Sequence, residues 1–154
     1  MTSPEEQLKA LGIELPVPVQ PVANYITNLQ VNNLLYLSGH AFSGEPTPVD
    51  IGKLGRELTV EQGYQAARNA GVCVLATIKE ALGDLNRVKR IVRVLGMVNS
   101  TEDFADHPKV INGFSDLMVE VFGEKGKHVR SAVGMGSLPG GIAVEIEVTL
   151  EVEA

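Results

Sequence analysis

The stretch HVRSAVGMGSLPGGIAVEIEVTLEVE, residues 128–153, decides the fold. In its second half Val144, Ile146, Val148, Leu150 and Val152 alternate with Glu145, Glu147, Thr149, Glu151 and Glu153. A strict period of two is that of a β-strand with one apolar and one polar face. Residues 129–137 read as a weaker strand, joined to the first through the breakers Leu138-Pro139-Gly140-Gly141. Arg130 opens that weaker strand among small and apolar residues and therefore needs a partner. An ion pair, for example at a helix C-terminus, supplies one reading; a fork for a substrate carboxylate supplies the other. Glu145, taken alone, reads as one rung of a solvated acidic face.

Working outward, residues 60–82 predict the longest helix. Thr59 and Gln62 have capping-box spacing, and Tyr64, Ala67, Gly71, Val74, Ile78 and Leu82 form one stripe ahead of Gly83. VKRIVRVLGMV, residues 88–98, is rich in β-branched residues and predicts a central strand. A second helix is expected from about Glu102 to Val121, with Phe104, Ile111, Phe114, Met118 and Val121 inward, Gly123 after it and Pro108 disturbing its first turn. Residues 25–31 and 34–40 predict strands joined at Asn32-Asn33, a short strand is expected near Lys53–Glu57, and residues 42–52 read as loop. Ser3, Pro4 and Glu6 start a short N-terminal helix closed by Gly12, followed by an extended arm carrying Pro16, Pro18 and Pro21.

The expectation is an α+β fold: a mixed sheet with two helices on one face, in one domain over 1–154, of which 1–23 are helix and Pro-rich arm and 24–154 the core. Right-handed crossovers put both helices on the same side. The other sheet face then has no cover within the chain, and oligomerisation through it is the economical solution.

The chain has 154 residues, 44% apolar and 21% charged, a balance that argues against disorder. Its 13 Lys and Arg against 19 Asp and Glu give a net charge of -6. With no tryptophan and 5% aromatics, this argues against nucleic acid as a partner. No apolar run is long enough to span a bilayer, and the start MTSPEEQLKA lacks an apolar core, so no membrane or signal segment is expected and a cytoplasmic protein is. The single cysteine, Cys73, reads as buried helix filling. His40, His107 and His128 lack metal-ligand spacing and read as solvated or capping histidines. No metal is expected.

Several motifs together resemble the Rid family, also called YjgF or L-PSP. Arg130-Ser131-Ala132-Val133, Leu138-Pro139 and Val144-Glu145-Ile146-Glu147 resemble its C-terminal signature R-S-C/A-V, L-P, V/I-E-I/V-E, with 15 residues from Arg130 to Glu145. Tyr25 stands 13 residues before Ser38-Gly39, as in the family. Gly83-Asp84-Leu85 and Asp103-Phe104 agree as well, and Lys109-Val110-Ile111-Asn112-Gly113 is similar to a longer branch with an extra N-terminal helix.

The resemblance implies a chorismate-mutase-like fold, a homotrimer with clefts between subunits, no cofactor, and a small carboxylate ligand. It implies hydrolytic deamination of reactive 2-imino and enamine acids to 2-oxo acids and ammonia. Arg130 would hold the carboxylate and Glu145 would position or deprotonate the attacking water. Tyr25, Ser38, Gly39 and the backbone at Ala132 would line the cleft. The family's second-helix asparagine falls at Ser115, with Asn112 one turn earlier as a substitute, and His40 replaces the usual glutamine. These departures keep a non-catalytic trimeric carboxylate binder as the alternative; the ribonuclease of the family label is disfavoured by the acidic charge.

Overall fold

Local signals start the first two helices where the sequence places them. The computed structural model describes residues 2–154, so that residue 1 of the expected arm lies outside it. Helix α1, Pro4–Ala10, begins in a capping box in which Ser3 Oγ accepts from the Glu6 N–H at 3.2 Å and Glu6 Oε2 from the Ser3 N–H at 2.8 Å. Helix α2, Val60–Leu82, repeats the device with Thr59 and Gln62. It stops at Gly83, whose φ of 78° a side chain would resist.

Strands β1, Asn28–Val31, and β2, Leu34–Leu37, form a hairpin turned at Asn32, the only non-glycine residue with positive φ among the described residues. After α2 come β3, Val88–Asn99, helix α3, His107–Phe122, and strands β4, Val129–Met135, and β5, Val144–Val152. The sheet order is β1-β2-β5-β3-β4, with β3 and β4 parallel and the other pairs antiparallel. Because β2 and β3 both run against β5, α2 and α3 are crossovers between strands of one direction. Right-handed crossovers carry both onto the same face. There β5 buries Val144, Ile146, Val148, Leu150 and Val152, as its alternation requires.

Several expectations need correction. The first strand starts at Asn28 rather than residue 25: the Thr27 carbonyl still accepts from the Ser38 N–H at 2.9 Å, but the Ser38 hydroxyl donates to the Ile26 carbonyl at 2.6 Å in place of a backbone ladder bond. The second stops at Leu37, with His40 returning only as an isolated bridge to Ile146. Residues 53–57 form a turn and no strand, since Gly52 and Gly55 take φ of 128° and 88°. Helix α3 begins at His107, so Pro108 occupies its first turn rather than disturbing a longer helix, and Phe104 lies outside it. Strand β4 ends at Met135.

The single stripe drawn for α2 is too narrow. Cys73 through Ile78 are all buried, because α2 has the sheet beneath it, α3 on one side, and residues 40–50 on the other. Tyr64, assigned to the stripe, sits at its margin and donates its hydroxyl to Asp116 Oδ2 at 2.7 Å.

The face of the sheet away from the helices is different. Leu29, Val31 and Tyr36 on β1 and β2, and Val129 and Val133 on β4, project there and are 37–65% exposed. Arg93, Glu145 and Glu147 share that face.

Packing of α3 on α2 leaves no room at Gly113: a Cβ there would strike the Tyr64 carbonyl of α2. Gly113→Ala should cost about 1–3 kcal/mol by overpacking, read as a lower denaturation midpoint, whereas Gly136→Ala, facing open space, should stay within about 0.5 kcal/mol. Equal midpoints for the two variants would show that the helix contact yields freely.

Candidate functional site

Strand alternation puts Arg130 and Ala132 on the helix-facing side of β4, and α3 supplies what Arg130 touches. Arg130 Nη1 donates to Ser115 Oγ at 2.9 Å and Nη2 to the Pro108 carbonyl at 3.2 Å. Residues 108, 112 and 115 lie along one face of α3, so Arg130 spans that face from mid-helix to first turn. Asn112, expected as the substitute for the family asparagine, lies between its two anchors; Ser115 makes the contact.

Both acceptors of Arg130 are neutral. Among the described residues it forms no salt bridge, which removes the ion-pair reading of this arginine. Two of its five N–H donors are engaged, and the charge is compensated by no carboxylate of its own chain. Strand β4 is also a sheet edge, so alternate backbone groups near Ala132 are unpaired with any neighbouring strand.

His128, expected as a solvated or capping histidine, instead stands two residues before Arg130 on the same side of the strand and bonds within the fold. His128 Nδ1 lies 2.7 Å from the Gly126 carbonyl and Nε2 2.9 Å from Ser115 Oγ. Because a carbonyl only accepts, Nδ1 carries the proton and Nε2 accepts from the Ser115 hydroxyl. Burial holds His128 below the usual histidine range, with the Arg130 charge adding to the effect against the pull of the Gly126 carbonyl.

Glu145 is elsewhere. It pairs with Met97 on β3, whereas Arg130 pairs with Val94. Three residues along the strand, about 10 Å, and two strand spacings, about 9.6 Å, separate their backbones. The odd offset puts them on opposite faces of the sheet. One chain therefore does not bring Arg130 and Glu145 together.

What Glu145 does meet is the Ser38-Gly39 corner. A Cβ at Gly39 would stand 2.7 Å from Glu145 Oε2, so glycine is what lets the carboxylate lie against this backbone. Burial, and then the neighbouring Glu147, push the Glu145 carboxyl above its ordinary value. Ser38 Oγ is spent on the Ile26 carbonyl, which ties down the bend that carries the half-exposed Tyr25. The sites thus fall into two groups: Tyr25, Ser38, Gly39 and Glu145 in one, Arg130, Ala132, Ser115 and Asn112 in the other.

His40 corrects the expectation of a solvated or capping histidine. It is 2% exposed, with Nδ1 2.6 Å from the Ser38 carbonyl and Nε2 2.9 Å from Thr77 Oγ1 of α2. The same donor logic makes it a neutral strut between the Ser38 corner and α2, and burial holds it below the usual histidine range. Cys73 is 1% exposed and burial raises its thiol, which fits helix filling and not a nucleophile. Among the described residues no three His, Cys, Asp or Glu side chains gather in a way that could hold a metal, and no helix is long and apolar enough to cross a membrane.

Comparison with known proteins gives one consistent result. Residues 5–141 match a family model described as "YjgF/chorismate_mutase-like, putative endoribonuclease", a span that includes Arg130 and stops short of Glu145. The chain is 41% identical over 145 residues to Protein TCP17 of Trypanosoma cruzi, covering 94% of this chain and 91% of that one. The crystal structure of Atu1372 from Agrobacterium tumefaciens, a protein of unknown function, superposes with a TM-score of 0.90 at 40% identity, covering 97% of this chain and 92% of that one. A Shewanella oneidensis structure called "a putative endoribonuclease" gives 0.93 at 34% identity, covering 97% and 99%.

The two buried histidines give a pH dependence with a definite sign. Above pH 6.5 they are neutral both folded and unfolded; below it the unfolded chain takes up protons that the folded chain refuses, so stability falls with pH until the folded pKa values are reached. The slope approaches about 1.4 kcal/mol per pH unit for each such histidine, enough to lower Tm by a few degrees between pH 7 and 5.5. His40→Gln should flatten part of that slope. A Tm independent of pH over this range would contradict the neutral assignments.

Proposed function

The chain belongs to the YjgF/chorismate mutase-like family, and from that premise we propose that it is a homotrimeric hydrolytic deaminase of 2-imino and enamine acids. The observation that carries this reading is Arg130: a guanidinium held in place by neutral acceptors alone, with donors left over for an anion. A planar fork of parallel N–H groups matches a carboxylate.

The two groups of residues lie on opposite faces of one sheet, so a complete site needs two chains. The Arg130 group of one subunit would face the Glu145 group of the next. The exposed apolar side chains at the two edges of the open sheet face support such an assembly, since exposed apolar patches mark interaction sites.

The chemistry is economical. A 2-imino acid carries an electrophilic C=N carbon beside its carboxylate. Arg130 fixes the carboxylate, and Glu145, whose carboxyl is pushed above its ordinary value by burial, removes a proton from water as it attacks that carbon. That proton passes to nitrogen to give the carbinolamine; its hydroxyl proton is then relayed through Glu145 to the amino group as the C=O forms, the C–N bond breaks, and a 2-oxo acid and ammonia leave. An enamine acid enters as its imine tautomer. Holding the reactants in line supplies most of what an already reactive substrate requires.

Three measurements test this reading. Light scattering should give three times the chain mass of 16.5 kDa; a monomer throughout the micromolar range would leave neither half-site a partner. Titration of 2-oxobutyrate should show Arg130→Lys binding about ten- to a hundred-fold more weakly, the worth of a charge-assisted bidentate pair. In an ammonia-release assay on enzymatically generated 2-iminobutyrate, Glu145→Gln should retain ligand binding and slow turnover by about 10²–10⁴-fold. Binding of the oxo acid with no ammonia release from the wild type would favour the non-catalytic carboxylate binder.

A further inference from the structure

We propose that His128 is a positioning residue for Arg130, acting through Ser115. This rests on the reading of Arg130 as the carboxylate fork and deepens it.

The hydrogen bonds in this corner have one consistent direction. The Gly126 carbonyl can only accept, so His128 donates to it from Nδ1 at 2.7 Å. In the neutral ring Nε2 is then an acceptor, and the partner 2.9 Å away, the Ser115 hydroxyl, gives it its proton. That turns the Ser115 oxygen lone pairs toward Arg130 Nη1, also at 2.9 Å. Each link fixes the next: Gly126 sets the His128 tautomer, His128 sets the Ser115 rotor, and Ser115 offers Arg130 an acceptor where a free hydroxyl would rotate.

The chain of bonds starts from a rigid point. Gly126 closes the 3₁₀ turn Gly123–Gly126 after α3, and a Cβ at Gly126 would strike the Met118 carbonyl of that helix. The His128 ring also packs edge-on against Phe114, with centroids 6.1 Å apart. Phe114 is fully buried, so the ring is located by the core while its nitrogens face the polar corner. The second anchor of Arg130, the Pro108 carbonyl, belongs to the first turn of the same helix. The guanidinium plane is thereby set by two points on α3, one of them adjustable only through His128. A guanidinium pre-set in this way loses less rotational freedom when a carboxylate docks.

A double-mutant cycle tests the link. The affinity for 2-oxobutyrate is measured by calorimetry for wild type, Ser115→Ala, His128→Phe, the double variant and His128→Gln, with a thermal melt of each. Phe keeps the ring and loses the acceptor; Gln places an amide oxygen near Nε2. Each single variant should weaken binding about five- to tenfold, the double variant no more than Ser115→Ala alone, and His128→Gln should recover wild-type affinity within about twofold. A purely structural His128 would change the melt and leave affinity untouched, or its loss would multiply with that of Ser115→Ala; either result overturns the proposal.

A ligand-free measurement separates this from the carboxylate reading. The Arg130 Nη–H signals in a ¹⁵N spectrum should be resolved and slowly exchanging in the wild type and averaged in Ser115→Ala and His128→Phe. Signals unchanged in both variants overturn the link even if the oxo acid binds. A wild type that shows ordered Arg130 signals and no heat with 2-oxobutyrate keeps the link and removes the carboxylate from it.

Discussion

The backbone approach of α3 to α2 at Gly113 is the constraint on which the rest of the architecture depends. With no Cβ at that position the turn of α3 can sit against the Tyr64 carbonyl, and Gly71 similarly admits Leu117 and Phe114 of α3. On the sheet side, Gly96 of β3 leaves the space that Ile111 fills. Three glycines on three elements thus let α3 settle deep between α2 and β3. Dispersion and the removal of apolar surface from water reward that depth, since Ile111, Phe114, Leu117 and Met118 are all fully buried. The depth also has a polar consequence. It lowers the other face of α3 to hydrogen-bonding distance of β4, which is how Ser115 and the Pro108 carbonyl reach Arg130.

Polar groups around the two corners of the candidate site follow one logic on the helix-covered side of the sheet. A buried neutral histidine donates from Nδ1 to a backbone carbonyl two residues away and accepts at Nε2 from a helix hydroxyl. His40 does so between Ser38 and Thr77, and His128 between Gly126 and Ser115. In each case the ring joins a strand end to a helix, and its neutrality avoids the cost of a buried charge. One strut holds the corner where Glu145 lies; the other holds the corner where Arg130 lies. In these two corners Arg130 and Glu145 keep unfilled hydrogen-bonding capacity, which is what the proposed function would use.

Separation of these two corners by the sheet is what the proposed assembly would overcome. On the proposed reading, a carboxylate anchor and a water-activating carboxylate on opposite faces of one chain could not act on the same substrate. In that reading symmetric association would let each face contribute half of a site, so that forming the oligomer and completing the site would be one event. The apolar residues on the open face, from Leu29 and Tyr36 at one edge to Val129 and Val133 at the other, supply the surface whose burial would drive it.

Much of this was legible in the residues themselves, because it is local. Capping boxes at Ser3 and Thr59, the glycine after Leu82, the Asn32-Asn33 turn and the alternation of residues 144–153 each act over a few positions, and the structure realises them. The motif around Arg130 was legible too, since family resemblance is carried by spacing. The partners of those residues were not. Alternation tells which residues of one strand share a face, but it says nothing of the register between strands. Only the pairing of Val94 with Arg130 and of Met97 with Glu145 puts the two on opposite sides. Nor could a sequence distance show that Ser115 stands between Arg130 and His128, or that His40 is buried beside Thr77, 37 residues away. Those contacts exist because two helices dock on the sheet at a depth set by glycines on different elements. A hydrogen bond made by long-range docking leaves no periodic trace in the chain that forms it.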